Sequence, residues 1–175
     1  MFKLKSKSAF TLIELLVVIA IIGLLSTLSI VALNTSRSRA RDARRVADMR
    51  EIRTALEMYF TDMNQYPAQS ITMKRDDPDY TGSYCLQASN AGFSPLPCNA
   101  ANGTIFMSVV PFPPNPGDGV ICNQANTYGW IGNKNYYYYV RDQYLFDSYR
   151  IEFCLGSQVQ DLSAGIHTAT PGGIK

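Results

Sequence analysis

The chain has 175 residues, of which 46% are hydrophobic and 17% are charged, and its formal net charge is +2. This composition excludes an intrinsically disordered chain and a membrane protein with many spans. The net charge of the whole chain is small, so it argues neither for nor against an anionic partner. No nucleic acid is therefore assigned as a partner. Once a membrane segment is set aside, the length suffices for one modest domain.

A short basic leader precedes a long apolar run. Lys3, Lys5 and Lys7 lie in the leader, and no charged residue occurs from Leu15 to Leu33. As a helix, this stretch measures roughly 28 Å, which is close to the hydrocarbon thickness of a bilayer. An ordinary signal peptide is the alternative, but the run is longer than a usual signal core and no A-x-A-like site follows it. We therefore predict a membrane-spanning helix.

Glu14 lies near the start of this apolar run. A carboxylate at the centre of a membrane helix costs about 2.5–3.5 kcal/mol, and less near an end, so we expect a partner for the charge. If the chain is cut before Phe10, its new α-amino group is cationic. Identical helices packed together would place that amine near a neighbour's Glu14. Such a pair would select register more than add stability; the alternative is a tolerated glutamate in a signal anchor.

The helical pattern continues past Ser36 and becomes amphipathic. Apolar positions recur at spacings of three and four, as on one face of a helix: Met49, Ile52, Leu56, Tyr59 and Met63. Pro67 ends the pattern, because the residue before a proline avoids the α conformation. We predict one helix from about Thr11 to Asn64.

Arginines are frequent between positions 37 and 53 of this helix. They contact neighbouring subunits or lipid headgroups under one interpretation and form a solvated face under the other. Opposite charges four residues apart, Arg44 with Asp48 and Arg53 with Glu57, can meet on the helix surface. The arginines lie on the side assigned outside the membrane, although Lys and Arg usually mark the cytoplasmic side. The inward N-terminus therefore depends on the leader lysines and on the resemblance described below.

After Pro67, Gly, Pro, Asn and Ser alternate with short aromatic runs. Two strands are predicted, Tyr136–Arg141 and Tyr149–Leu155, joined as an antiparallel hairpin, and Thr127–Ile131 is a third candidate. Residues 74–83 and 111–119 are predicted as loops and turns, and residues 163–175 as an extended or frayed tail. The predicted fold class is α+β, with a long N-terminal helix packed on a small antiparallel sheet.

The four cysteines all lie beyond the apolar segment. An even count in a loop-rich region fits two disulfides in an oxidising compartment, and four cysteines allow three pairings. We favour Cys85–Cys98 and Cys122–Cys154, because each would close a local loop; buried free thiols are the alternative. No CxxC pair occurs and His167 is the single histidine, so a zinc site has little support and no chemistry is expected there.

The segment KSAFTLIELLVVIAIIGLL (residues 7–25) resembles the class III signal of type IV pilins and of type II secretion pseudopilins. The segment YFTDMNQYP (Tyr59–Pro67) also resembles this family, particularly the major pseudopilins. The resemblance implies cleavage by prepilin peptidase between Ala9 and Phe10 and N-methylation of Phe10. It implies that Thr11 and Glu14 take part in assembly, with Glu14 in the family's acidic fifth place.

The same resemblance implies a domain plan. Residues 1–9 are a cleaved leader, 10–35 a transmembrane and assembly half-helix, 36–66 an amphipathic half-helix, and 67–175 a disulfide-braced, β-rich domain of pilin-like fold. It also implies a homopolymeric filament, an inner-membrane assembly platform and minor pilins as partners. The chain would cross the inner membrane once before assembly and then enter a periplasmic pseudopilus or a surface pilus.

The sequence departs from the family at several points. Ala9 replaces the usual Gly before the cut, and the apolar half-helix has Gly23 but no proline. PNPGDG replaces the DPWG-like calcium loop of major pseudopilins; no cofactor is expected, although Asp118 and Asp161 are candidate calcium ligands. The absent proline and YFTDMNQYP favour a pseudopilin, whereas the tyrosine-rich, disulfide-rich domain favours an exposed pilus, so both remain open.

Two other function classes compete with a filament subunit. A signal-anchored periplasmic enzyme would need a nucleophile with a base or a metal cluster, and one histidine without G-x-S-x-G supplies neither, so we expect no enzyme. A membrane-tethered binding module that does not polymerise would retain residues 1–9. A mature chain beginning at N-methylated Phe10 distinguishes the filament subunit from this module.

Overall fold

The computed structural model describes residues 10–68, 70–74, 84–89, 92–114, 135–140 and 147–175. Helix α1 spans Leu12–Met63, which confirms the predicted helix to within about one residue at each end. Contacts divide the chain into one unit ending at Arg37 and a second beginning at Ser38.

The first unit is the apolar part of α1. Its large hydrophobic side chains between Phe10 and Leu33 are 46–88% exposed. The helix is long and apolar enough to cross a membrane by length and composition, and none of its most apolar stretch is buried within the described structure. The segment is therefore not a core helix of the protein's own fold, and its apolar surface needs lipid or another protein as a partner.

The second unit contains the rest of α1 and eight described strands: β1 Ile71–Lys74, β2 Tyr84–Gln87, β3 Phe93–Pro95, β4 Ile105–Met107, β5 Asn135–Val140, β6 Tyr149–Leu155, β7 Gly165–Thr170 and β8 Gly173–Ile174. They form a five-stranded sheet in the order β1-β5-β6-β7-β8 and a three-stranded sheet in the order β3-β2-β4. Every pairing among these strands is antiparallel. The α+β prediction is confirmed, with two sheets in place of the single one expected.

The core lies between the amphipathic face of α1 and the sheets. Met49, Ile52, Leu56 and Tyr59 are at most 1% exposed, and Met63 packs against the same cluster. From β6, Tyr149, Ile151 and Phe153 join them, as the alternation of that strand predicts. Asn64, the residue after α1, has a φ of 54° and donates its amide to Phe60 O at 2.8 Å. The helix thus stops before Pro67.

The predicted hairpin is confirmed, because β5 and β6 pair with Tyr138 opposite Ile151. The expectation for residues 163–175 is partly wrong: this tail is not frayed but contributes β7 and β8, with Phe153 opposite His167. The third candidate strand, Thr127–Ile131, lies outside the described residues. The same holds for most of the loop segments 74–83 and 111–119.

One predicted disulfide is confirmed. Cys85 on β2 bonds Cys98 beyond β3, with their Cα atoms 6.1 Å apart. This bond ties the smaller sheet to the segment that leads into β4. Cys154 on β6 is also a disulfide cysteine, but its predicted partner Cys122 lies outside the described residues, so that pairing stays a prediction.

Candidate assembly site

Thr11 and Glu14 form a reciprocal cap at the start of α1. Glu14 Oε2 accepts hydrogen bonds from Thr11 N and Thr11 Oγ1, both at 2.8 Å, and Glu14 N donates to Thr11 Oγ1 at 3.3 Å. The next amide, Leu15 N, donates to Thr11 O at 3.3 Å. The spacing T-x-x-E is that of a capping box, in which two otherwise unpaired amides of the first turn are satisfied. The structure thus joins the two residues assigned to assembly.

This cap explains how the carboxylate is accommodated next to an apolar run. The amides at a helix N-terminus carry partial positive charge, so a carboxylate there is favoured by the helix dipole. Thr11 adds a hydroxyl and an amide within hydrogen-bond distance. Even so, Glu14 remains exposed, and the groove beside it is formed by Phe10, Ile13, Val17 and Val18. Glu14 can therefore accept a further donor from outside the helix.

The polar side chains further along the apolar segment are satisfied within the helix. Ser26 Oγ donates to Ile22 O at 2.7 Å, and Ser29 Oγ donates to Leu25 O at 2.8 Å. Thr27 and Thr35 bond the carbonyls of Leu24 and Val31 in the same way. Such back-bonding removes the cost of an unpaired hydroxyl in hydrocarbon. The helix is continuous through Gly23.

The structure describes some of the remaining predicted site residues but not all of them. Phe10 precedes the cap and is 80% exposed. Ala9, the residue before the predicted cut, lies outside the described residues. His167 is buried, with Nε2 2.7 Å from Ser163 O. Asp161 is exposed and Asp118 is outside the described residues; among those described, no group of three or more His, Cys, Asp or Glu side chains could hold a metal.

A buried ion pair in the second unit was missed by the sequence interpretation. Asp42 and Arg45 are 0% and 1% exposed and form a salt bridge. Asp42 also accepts hydrogen bonds from Gly156 N at 3.1 Å and from Ser157 N and Oγ at 2.8 and 2.6 Å, while Arg45 donates to Pro114 O at 3.3 Å. The signal was present, since Arg45 precedes Met49 by one helical turn on the buried face.

The other arginines of this part of the helix differ in their contacts. Arg50 donates to Gln160 Oε1 at 2.6 Å, and Arg53 donates to Thr170 O and Pro171 O at 3.0 and 3.3 Å. These two side chains bind the helix to the segments around β7 and β8. By contrast, Arg39 and Arg44 are exposed. The ion pairs considered from spacing, Arg44 with Asp48 and Arg53 with Glu57, do not form between these described side chains.

Tyrosine hydroxyls complete the packing at the end of α1. Tyr59 donates to Ser89 O at 2.6 Å, and Tyr66 donates to both carboxylate oxygens of Glu57 at 3.0 and 3.1 Å. Burial raises the pKa of Tyr59 and of Tyr66. Burial, with the negative charge of Glu57 as a second cause, raises the pKa of Tyr149 to about 12. The aromatic residues next to the helix therefore act as neutral core groups.

Comparison with known proteins identifies the same N-terminal segment. The family described as "Prokaryotic N-terminal methylation motif" matches residues 4–30. That range contains Phe10, Thr11 and Glu14. No solved structure matches the chain.

The chain is also similar to a protein of the type II secretion system. It is 38% identical over 63 residues to type II secretion system core protein G of Aeromonas hydrophila, covering 36% of this chain and 44% of that protein. For core protein G of Pectobacterium carotovorum, identity is 37% over 65 residues, covering 37% and 42%. The chain thus spans less than half the length of these relatives.

A longer similarity connects the chain to a pilus protein. The type IV wide pilus major component PilA4 of Thermus thermophilus is 31% identical over 121 residues, which cover 62% of this chain and 85% of that protein. This match extends over most of the relative. Together with the methylation motif, the apolar helix and the α+β fold, it shows that the chain belongs to the family of type IV pilins and type II secretion pseudopilins, which are structural subunits with a membrane-anchoring N-terminal helix.

Proposed function

We propose that this protein is the structural subunit of a filament that polymerises through the N-terminal part of α1. The observation that carries the proposal is the capping box of Thr11 and Glu14 at the head of an apolar helix whose large side chains are 46–88% exposed. Lipid covers such a surface before assembly. Identical helices cover it afterwards, since a second apolar surface replaces lipid at little cost.

Processing precedes polymerisation in this proposal. Prepilin peptidase cuts between Ala9 and Phe10 on the cytoplasmic side of the inner membrane, and the new amine of Phe10 is N-methylated. The methylation motif over residues 4–30 supports this step. Removal of the leader also removes its lysines, so the end of the helix carries one amine next to Glu14. The N-terminal cap is then free of the polar segment that would hold it at the membrane surface.

Glu14 selects the register of neighbouring helices in the polymer. In the monomer its carboxylate is held by Thr11 of the same chain at 2.8 Å. In the filament it additionally receives the cationic amine of a neighbour's Phe10, entering through the groove beside Val17 and Val18. An unpaired charge in an apolar bundle costs several kcal/mol, so misplaced registers are rejected. The assembly platform and minor pilins of the inner membrane start and drive the addition of subunits.

The filament is either a surface pilus or a periplasmic pseudopilus. The wide-pilus relative is similar over 62% of this chain, which is more than the predicted N-terminal segments can supply, so the likeness reaches the β-rich domain. The core protein G relatives match only about 36–37% of the chain. This difference supports a pilus subunit. Electron microscopy of a deletion strain decides the matter: loss of long surface fibres fits a pilus, and their persistence with loss of secretion fits a pseudopilus.

Replacement of Glu14 by alanine tests the proposal. We expect Glu14→Ala protein to be inserted and cleaved but to yield few filaments, because the charge that selects register is gone. Glu14→Gln keeps most of the cap and loses the charge, so it should show the same defect. Thr11→Ser keeps the hydroxyl and amide of the cap and is the matched control. Sheared filaments and the membrane fraction are quantified by immunoblot, and intact mass reports cleavage.

Two results would count against the proposal. Normal filaments from Glu14→Gln would refute the role of the charge. A mature wild-type chain that retains Met1 and forms no filaments would instead indicate a membrane-anchored binding module that does not polymerise.

A further inference from the structure

Two exposed arginines, Arg37 and Arg39, are the first charged residues after the apolar run of α1. Among the described residues, no side chain or backbone group forms an ion pair or a hydrogen bond with either of them. In this they differ from Arg45 and Arg53, which bind partners in the second unit. The charges of Arg37 and Arg39 are therefore available to a partner outside the chain.

The length of the apolar segment determines how deep these two arginines lie. From Leu15 to Leu33 the helix covers roughly 28 Å, close to the hydrocarbon thickness of a bilayer, and the headgroup layer adds about 5–8 Å on each side. Arg37 follows Leu33 by four residues, or roughly 6 Å along the helix. When the apolar segment spans the membrane, Arg37 therefore lies at the depth of the lipid phosphates. Arg39 comes two residues later, and its long side chain can reach back to the same depth.

The two arginines lie on nearly opposite sides of the helix. Positions two residues apart are rotated by roughly 160° around the axis of an α-helix. A single neighbouring protein on one side of α1 would meet only one of them, whereas the headgroup layer surrounds a membrane-spanning helix on all sides. A guanidinium group also binds two phosphate oxygens through parallel hydrogen bonds. Lipid phosphate thus fits both positions at once.

We propose that Arg37 and Arg39 each bind the phosphate of an anionic phospholipid, on opposite sides of α1, in the leaflet remote from the leader. This inference rests on the proposed function, because it requires the apolar segment to span the membrane before assembly. Basic residues on this side oppose the usual orientation of a membrane protein; here they hold the unassembled subunit at a defined depth. Transfer of a subunit into the filament then breaks two arginine–phosphate contacts.

Counting bound lipids by native mass spectrometry tests the proposal. The processed full-length chain is solubilised in a neutral detergent and supplied with equal amounts of phosphatidylglycerol and phosphatidylcholine. The variants are R37Q, R39Q and R37Q/R39Q, and R37K/R39K keeps both charges. Arg44→Gln is the matched control, because Arg44 is exposed on the same side of α1 as Arg37 but roughly 10 Å further along the helix, beyond the headgroup layer. Circular dichroism reports folding.

We expect the wild-type chain to bind two phosphatidylglycerol molecules, each with about a fivefold preference over phosphatidylcholine, as one basic residue near a membrane surface provides. Each single glutamine variant should retain one such lipid, and the double variant should retain none. R37K/R39K and Arg44→Gln should retain both, because the first keeps the charges and the second leaves the two sites intact.

Three results would overturn the lipid sites and leave the filament proposal intact. The first is two preferentially bound phosphatidylglycerol molecules in the folded double variant. The second is an equal loss from Arg44→Gln, which would indicate a diffuse attraction by the whole basic segment. The third is displacement of the lipid by an equal concentration of its soluble headgroup, glycerophosphoglycerol, which would assign the sites to soluble anions. A processed wild-type chain absent from the membrane fraction would overturn both proposals.

Discussion

Replacing Asp42 with alanine should strongly destabilise the second unit. Its buried carboxylate accepts three hydrogen bonds from Gly156 and Ser157, at 3.1, 2.8 and 2.6 Å, and pairs with the buried Arg45. Removal of one partner of a buried pair costs about 3–5 kcal/mol, because the remaining charge has lost its compensation. The two amides of Gly156 and Ser157 add to this cost when they lose their acceptor.

The measurement is urea denaturation of the detergent-solubilised chain, followed by near-ultraviolet circular dichroism. We expect the free energy of unfolding of Asp42→Ala to fall by about 3–5 kcal/mol. Ser157→Ala removes one hydrogen bond to the charged acceptor and should cost about 1.5–3 kcal/mol. Asp62→Ala is the matched control on the same helix: its side chain is exposed, so the change should stay within about 0.5 kcal/mol.

The comparison of Asp42→Ala with Asp62→Ala shows whether the buried ion pair stabilises the second unit. If Asp42→Ala costs no more than Asp62→Ala, the ion pair does not join the helix to the end of β6, and the packing of the apolar face alone determines stability. A large loss for Asp42→Ala combined with no effect of Ser157→Ala would instead assign the stabilisation to Arg45.

Two further outcomes are expected from the second unit. Cys85→Ser with Cys98→Ser should lower its free energy of unfolding by about 2–4 kcal/mol without releasing the chain from the membrane; agreement of reducing and non-reducing peptide maps would refute the disulfide. Burial raises the pKa of Tyr149 in the folded chain to about 12. Above pH 10 the unfolded chain ionises this tyrosine while the folded chain keeps it neutral. The free energy of unfolding should therefore be unaffected by this group below pH 10 and fall as the pH rises towards 12. Tyr149→Phe should reduce that loss, as followed by urea denaturation across this pH range; an unchanged loss would contradict the raised pKa.

The helix and strand in which apolar residues recur at a regular spacing could be predicted from the sequence. The apolar run and the three-four spacing from Met49 to Met63 predicted one helix, observed as Leu12–Met63. The alternation of Tyr149, Ile151 and Phe153 predicted β6 with its observed bounds. The hydrogen bonds between Thr11 and Glu14 were missed, although the T-x-x-E spacing is a recognised signal for a capping box. The sequence interpretation of Glu14 weighs a charged partner on another chain against a tolerated glutamate in a signal anchor, and it includes no hydrogen bond to Thr11.

The elements that were missed lack a local signal. Strands β2, β3 and β4 have three or four residues each, too few for a period to be recognised, and they are stabilised by pairing with distant segments. β7 contains Gly165 and His167 and was therefore interpreted as part of a tail. Arg45 was grouped with the surface arginines although it lies one helical turn before Met49, because the backbone groups that complete its pair with Asp42, those of Pro114, Gly156 and Ser157, come near only in the tertiary fold.

The back-bonded hydroxyls of the apolar helix limit what that helix can recognise. Ser26 and Ser29 each donate to a carbonyl one turn earlier, so neither offers its proton to a neighbouring chain. A bundle of such helices has few directional contacts along its length, and one rotational setting differs little in energy from the next. Subunits could then slide or turn slightly against each other without breaking hydrogen bonds, which would make the inner part of the filament compliant. Its geometry would be defined at the ends of this segment.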